Sequence, residues 1–198
     1  MFYLCAESKS ALAELLMTLV IRQELNAPRL ALLSDDAMEA ADEAGELDGN
    51  QHYIDLSTAT WDDVAYALAA EGRLIFELED ADDAAALEAS FCEQRDLEDE
   101  REALWHLDVG VAAPVMALNA LGAHTVLSCN GGVFGGKHLR DYPSIRFYPR
   151  NAPLDVLLDA ARASGVGLIE EEGRALLYSA AVQDLQRFAR ELQERFGR

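Results

Sequence analysis

The chain has 198 residues, of which 51% are hydrophobic, and this share can supply a core without disulfides or a structural metal. Its 36 acidic and 16 basic side chains give a formal net charge of -20. A field of this sign repels nucleic-acid phosphates and anionic membrane surfaces, so we expect neither as a partner. The charge favours either plain solubility, including adaptation to a salty cytoplasm, or a surface that covers a basic protein.

The cysteines indicate the compartment. Cys5, Cys92 and Cys129 are odd in number and widely spaced, and no Cys-x-x-Cys pair or Cys/His cluster occurs. This pattern suggests neither a disulfide framework nor a zinc site and fits reduced thiols in a cytoplasm. No apolar run reaches the roughly 18 residues of a membrane span, and the first residues lack a signal-peptide pattern. We therefore predict a soluble cytoplasmic protein without a metal site.

Hydrophobic periodicity in residues 1–80 predicts strands that alternate with helices. We expect strands at 1–6, 30–33, 53–56 and 73–78. We expect helices at 8–21 and from about residue 61. Ser57 or Thr58 would cap the second helix, and Gly72 would end it. This alternation favours a layered α/β arrangement over an all-helical one.

Residues 81–108 form an acidic, alanine-rich connecting segment, in which a helix is expected around 84–92. The segment divides the chain, with soft boundaries, into an N-terminal half at 1–80 and a C-terminal half at 109–198. Both halves mix helices with three or four strands. We therefore predict an α/β or α+β fold with mixed sheets packed against helices, either as two similar-sized subdomains or as one compact domain.

The C-terminal half predicts three helices and four strands. The helices are expected at about 109–121, 153–163 and 180–196. The strands are expected at 125–128, 144–148, 166–169 and 175–178, the last two as a hairpin. Pro114 falls in the first turn of the first helix, where proline is tolerated, and Ser179 would cap the last helix.

The segment between the first two of these strands is rich in glycine and in positive charge. It holds four of the chain's 13 glycines, which let backbone amides approach a ligand closely. Between residues 123 and 150, four bases accompany a single acid. We therefore predict that a small anion, such as a phosphate, a carboxylate or a nucleotide, binds at 129–146. The expected contacts are Asn130, Gly131, Gly132, Lys137, Arg140 and Arg146.

Cys129 ends a strand and opens this loop, where a nucleophile would be presented and positive charge would favour its thiolate. His138 in the same loop could act as its base, and His124 is the other candidate. The alternative is structural, with glycines that build a tight turn, bases that pair with acidic helices and a cysteine that packs in the core. The sequence thus leaves open whether the protein is an enzyme, and it indicates no particular cofactor.

A helix, a strand and a glycine turn are combined at Leu118, Asn119, Gly122, Thr125, Ser128, Cys129, Gly131, Pro143 and Phe147. These positions resemble a pattern in uncharacterised bacterial proteins, in which a helix ending in Leu-Asn-x-x-Gly precedes a strand ending in Ser-Cys-x-Gly. A similar Ser-Cys-x-Gly turn occurs in the wybutosine-synthesising methyltransferase family of tRNA modification. The resemblance covers about 30 residues and implies a shared structural unit, not a reaction. The bacterial pattern has a histidine where Gly132 stands here, and the negative net charge argues against tRNA binding.

Two functions of different classes follow from these patterns. The leading hypothesis is that the protein binds a small anionic ligand at the glycine-rich basic loop. The rival is a protein-interaction role, as an inhibitor or an immunity-type protein, in which the acidic surfaces at 35–48 and 77–108 contact a basic partner. A purely structural role is the third alternative.

Overall fold

The computed structural model describes residues 19–25, 27–30, 56–95, 99, 101–134 and 140–197. The elements predicted before residue 19 and between residues 31 and 55 lie outside the described residues and stay predictions. Among the described residues, no helix is both long and apolar enough to cross a bilayer.

Within the described residues, five strands form one mixed sheet in the order β1-β4-β5-β3-β2. They are β1 (Gln23–Glu24), β2 (His124–Cys129), β3 (Ser144–Tyr148), β4 (Gly167–Glu171) and β5 (Arg174–Tyr178). Strand β1 runs parallel to β4, and the other neighbours are antiparallel. The four strands predicted in the C-terminal half are confirmed to within two residues.

In the described part of the chain, five helices accompany the sheet. They are α1 (Trp61–Asp80), α2 (Ala84–Arg95), α3 (Ala112–Ala120), α4 (Leu154–Ser164) and α5 (Val182–Phe196). Helices α1, α3 and α5 contact one another, and α4 packs against α5. One apolar core joins these helices to the sheet and includes Val64 and Ala67 of α1 as well as Phe147 and Leu177 of the sheet. The predicted α+β class is therefore confirmed.

Helix α1 differs most from the prediction, because Gly72 does not end it and 73–78 is not a strand. The helix continues for 20 residues. Its buried residues recur every three or four positions on both sides of the glycine, at Val64, Ala67, Glu71, Ile75 and Leu78. A short apolar run such as 74–78 fits a strand as well as a buried helix, and here the packing of α1 on α3 and α5 decides for the helix.

The helix caps also differ in detail. The cap of α1 is Thr60 rather than Ser57 or Thr58, and its side chain and that of Asp63 form a reciprocal capping box. The cap of α5 is Ala181, while Ser179 donates a hydrogen bond of 2.6 Å to Asp184 in the first turn. The first turns are thus stabilised by carboxylates, as the helix dipole favours.

The two faces of the sheet differ in chemistry. Most inward residues of β3, β4 and β5 are apolar and belong to the core, among them Ile145, Phe147, Leu168 and Leu177, whereas Glu170 near the end of β4 is charged. The register places the alternate residues on the opposite side, which we call the outer face. The outer-face residues of these strands are Ser144, Arg146, Tyr148, Gly167, Ile169, Glu171, Arg174, Leu176 and Tyr178.

Candidate functional site

The candidate site begins where β2 ends, at Cys129. This residue is buried, and its Sγ accepts a hydrogen bond of 3.3 Å from the backbone N–H of Gly131. His138 and Lys137 lie outside the described residues, so the pairing of Cys129 with His138 stays a prediction. His124 is no base for this thiol, because it stands at the other end of β2, five residues or roughly 17 Å away along an extended strand.

Two glycines shape the turn that follows. Gly131 and Gly132 have φ values of 74° and 70°, in the left-handed region that favours glycine. A Cβ atom on Gly131 would lie 2.4 Å from the carbonyl carbon of Tyr142, a contact that the backbone cannot allow. The turn can therefore approach the chain at 142–143 only with glycine at position 131.

The polar groups at the start of the loop already bind acceptors within the chain. Asn130 is fully buried, and its Nδ2 donates to Glu88 at 3.0 Å and to the carbonyl of Val109 at 3.2 Å. The N–H of Asn130 donates to Asp108 at 3.3 Å, and that of Gly132 donates to the Asn130 Oδ1 at 3.0 Å. Asn130 thus fixes the loop to α2 and to the segment before α3, and the N–H groups of Gly131 and Gly132 donate within the loop.

Beyond the glycines, two of the predicted arginines meet on the outer face. Arg140 Nη2 and Arg146 Nη2 each donate to the same carboxylate oxygen of Glu171, Oε2, over 2.7 Å. Arg146 Nε donates to this oxygen as well, over 3.1 Å. The structure therefore brings Arg140 and Arg146 together, and it does so around a residue that the sequence analysis did not identify.

This arginine cluster, formed by Arg140, Arg146 and Glu171, is partly shielded from water. The side chains of the two arginines are 17% and 15% exposed, and that of Glu171 is 30% exposed. Burial lowers the pKa of Arg140, but its hydrogen bond to Tyr142 and the field of Glu171 outweigh burial and raise that pKa above its ordinary value. The Arg140 guanidinium is therefore charged, and partial burial leaves the attraction of the cluster for an anion less screened than at a fully exposed surface.

The surroundings of the cluster are aromatic, apolar and positively charged. Arg174 donates to the hydroxyl of Tyr148 at 2.9 Å on the same face. The Tyr142 ring lies beside the Arg140 guanidinium, with 5.6 Å from its Cζ to the ring centroid. Three arginines accompany one carboxylate in this part of the described structure, and Glu24 of β1 lies further out at the exposed sheet edge.

Ser144 adds an unsatisfied polar group to the outer face. The residue is fully buried, and its Oγ makes no hydrogen bond to any residue that the structure describes. The register pairs Ser144 with Cys129 on one side and with Tyr178 on the other. A buried hydroxyl without a partner costs free energy in a folded protein, so this position stands out among the described residues.

A second polar arrangement, also missed from the sequence, lies in the core around Glu71 of α1. Its carboxylate accepts hydrogen bonds of 2.7 to 2.9 Å from the N–H groups of Gly110, Ala112 and Ala113, and one of 2.6 Å from Gln186 of α5. Complete burial raises the pKa of Glu71, and the four N–H donors oppose this rise. Glu71 thus caps the first turn of α3 from another helix.

The described residues offer few other places for chemistry. A cavity of about 240 Å³ lies between the end of α1, the turn residues Val133 and Phe134 and the start of α5, and its walls are mostly apolar. Among the described residues, no group of three or more His, Cys, Asp and Glu side chains could hold a metal ion.

The chain shows no significant similarity to known proteins. No family model matches it, and no curated protein or solved structure gives a significant match.

The predicted hairpin could have placed Glu171 and Arg174 on one face of the sheet, since residues that pair directly opposite each other in antiparallel strands share a side. It could not have placed them beside Arg146, because that contact depends on β5 lying between β3 and β4. Ser144 carried no signal, since its unsatisfied hydroxyl depends on what surrounds it in the fold.

Proposed function

We propose that the protein binds a small anionic ligand at 129–146, through the guanidinium groups of Arg140 and Arg146. The observation that carries this proposal is the convergence of both groups on a single carboxylate oxygen, at 2.7 Å each, in a chain of net charge -20. Planar guanidinium groups bind carboxylates and phosphates with directed, charge-assisted hydrogen bonds. A pair of them on the outer face therefore suits specific anion recognition in a chain whose net charge is strongly negative.

In this proposal the arginine side chains contact the anion, and the glycine amides do not. The N–H groups of Asn130, Gly131 and Gly132 donate to internal acceptors, so their contribution is to hold the loop in place. The glycines permit the close approach of the turn to Tyr142, which in turn accepts a hydrogen bond from Arg140. The glycine turn positions the arginine, and the arginine contacts the anion.

The test is the thermal stability of the protein in a panel of small anions at constant ionic strength, with chloride as the reference. A ligand at about 100 times its Kd stabilises a protein by about 2.7 kcal/mol, which is roughly 5 to 10 °C in Tm for a chain of this size. Arg140→Lys and Arg146→Lys keep the charge but lose the planar guanidinium group. We expect each substitution to raise the Kd of the anion about tenfold and so to reduce the stabilisation.

Arg162→Lys is the matched control, because Arg162 pairs with Asp159 on α4 and is exposed. We expect this variant to keep the wild-type response. If no anion stabilises the protein, or if the two cluster variants respond as the wild type does, the proposed anion site is wrong.

A second candidate function is the binding of a basic protein partner. One observation favours it, since Phe76 on α1 is 70% exposed and acidic residues follow it closely in the sequence. These residues are Glu77, Glu79, Asp80, Asp82 and Asp83, all of them exposed. An exposed aromatic side chain in an acidic segment suits a partner surface with basic and apolar groups.

A further inference from the structure

The Glu171 carboxylate accepts hydrogen bonds from both guanidinium groups of the arginine cluster, as a bound anion would. Its Oε2 atom accepts three hydrogen bonds from N–H groups of two arginines. A single carboxylate oxygen can accept few hydrogen bonds beyond these. The residue ends β4, just before a two-residue turn in which Glu172 and Gly173 both have positive φ. Such a turn fixes the register of the hairpin, so the backbone of Glu171 is well held while its side chain reaches over the face.

The three nearest residues in the cross-strand row around Arg146 are apolar, and Glu24 ends the row at the sheet edge. The register aligns Arg146 with Leu127 of β2 on one side and with Leu176 of β5 on the other, and Leu176 in turn pairs with Ile169 of β4. Leu176 is only 2% exposed. An anion held by the guanidinium group of Arg146 therefore lies beside hydrocarbon, which suits a planar organic carboxylate better than a strongly hydrated tetrahedral phosphate.

We infer that Glu171 is an internal substitute for the ligand, and that the ligand is an organic carboxylate whose carboxylate group displaces Glu171 from Arg140 and Arg146. This inference rests on the proposed anion binding and adds the chemical class of the ligand. It also gives Glu171 the role of an intramolecular competitor. If Glu171 holds the arginines about nine-tenths of the time, the apparent affinity for an external carboxylate is lowered about tenfold.

The test is rescue of a Glu171→Ala variant by acetate, the fragment that this substitution removes. The variant removes the Glu171 carboxylate from two partly buried guanidinium groups, so we expect its urea midpoint to fall below that of the wild type. Acetate should raise that midpoint when it replaces chloride at constant ionic strength. We expect the apparent Kd of acetate for Glu171→Ala to be about tenfold or more lower than its apparent Kd for the wild type. If the variant does not fold in chloride, the refolding yield in acetate replaces the midpoint.

Two variants serve as controls. Glu170→Ala makes the same charge change on the adjacent residue, whose carboxylate accepts from Gly173 and does not join the cluster, and we expect no gain from acetate. Glu171→Gln removes the charge but fills the same volume, so its gain should be much smaller than that of Glu171→Ala.

Failure of the inference and failure of the proposed function would give different results. A gain with acetate in Glu171→Ala alone supports the inference. Equal or greater rescue by phosphate would overturn the carboxylate assignment and leave anion binding at the arginines intact. If the wild type binds carboxylates through Arg140 and Arg146 and Glu171→Ala binds them no better, Glu171 is not a competitor. Absence of any arginine-dependent anion effect in the wild type sinks the proposed function itself.

Discussion

Glu71 shows how a single residue can join three helices. Its carboxylate lies at the N-terminus of α3, where the backbone N–H groups have no partner within their own helix, and it also accepts from Gln186 of α5. A carboxylate is well suited to this end of a helix dipole. The cost of burying Glu71 is therefore offset by hydrogen bonds that α3 would otherwise lack.

We expect Glu71→Gln to lower the free energy of unfolding by about 1 to 3 kcal/mol at pH 5, because the amide NH₂ faces N–H donors and leaves some of them unsatisfied. Since burial raises the pKa of Glu71 in the folded state above 4.5, its value as an unperturbed group, the folded chain binds this proton more tightly than the unfolded chain. The stability that this tighter proton binding contributes is complete below the pKa of Glu71 in the unfolded chain. It is lost as the pH rises through the pKa of Glu71 in the folded chain.

The advantage of the wild type over Glu71→Gln should accordingly shrink as the pH rises above 4.5. Urea denaturation of both proteins between pH 5 and pH 8, followed by circular dichroism, measures this difference, and other titrating groups cancel between them. A difference that grows with pH would mean that the four N–H donors outweigh burial and hold the pKa of Glu71 down.

At the scale of elements, α1 carries a glycine in its interior without a structural need for one. Gly72 is exposed, and a Cβ atom added there would meet no atom within 4 Å. Glycine costs roughly 0.5 to 1 kcal/mol relative to alanine inside a helix, because the unfolded backbone loses more conformational freedom. This penalty is tolerated because the helix is stabilised by burial against α3 and α5.

We therefore expect Gly72→Ala to raise the free energy of unfolding by roughly 0.5 to 1 kcal/mol. Gly165→Ala is a matched control, because a Cβ there also meets nothing within 4 Å, but Gly165 has a φ of 77° as the left-handed cap of α4. That variant should lose stability instead. Thermal denaturation of both variants decides the matter, and a destabilised Gly72→Ala would indicate that α1 is not continuous through position 72.

At the scale of the whole molecule, charge is divided unevenly. The chain as a whole is strongly acidic, whereas the outer face of the sheet carries the arginine cluster. A basic macromolecule would therefore meet the acidic helices, and a small anion would meet the arginines. The two candidate functions depend on different surfaces and can be tested independently.

If the acidic surface around Phe76 binds a basic partner, a complex isolated at low ionic strength should dissociate as sodium chloride is raised. The reason is that the Debye length falls from about 10 Å at 0.1 M salt to about 3 Å at 1 M. Phe76→Ala should weaken the complex, whereas Val20→Ala, which removes a side chain of similar exposure beside the sheet, should not. Size-exclusion chromatography across a salt series measures both effects, and association that ignores salt and Phe76 would contradict this account.

The sequence by itself determined much of the second half of the molecule. The helix with Pro114 in its first turn, the strand that ends at Cys129, the strand at 144–148 and the following hairpin all agree with periodicity and with turn residues. These signals are local, because a repeat of two or 3.6 residues and a glycine or proline act within a few positions along the chain. The glycines of the 129–141 loop were identified for the same reason.

Only the tertiary structure decided which distant residues meet. The apolar run after Gly72 became helical because α3 and α5 lie beside it, and Glu71 became a cap for α3 because the two helices cross there. Glu171 of β4 meets Arg146 of β3 across β5, because the strand order places β5 between these two strands. Such contacts depend on strand order and helix packing, which many side chains specify jointly, so a reading of single positions along the chain cannot supply them.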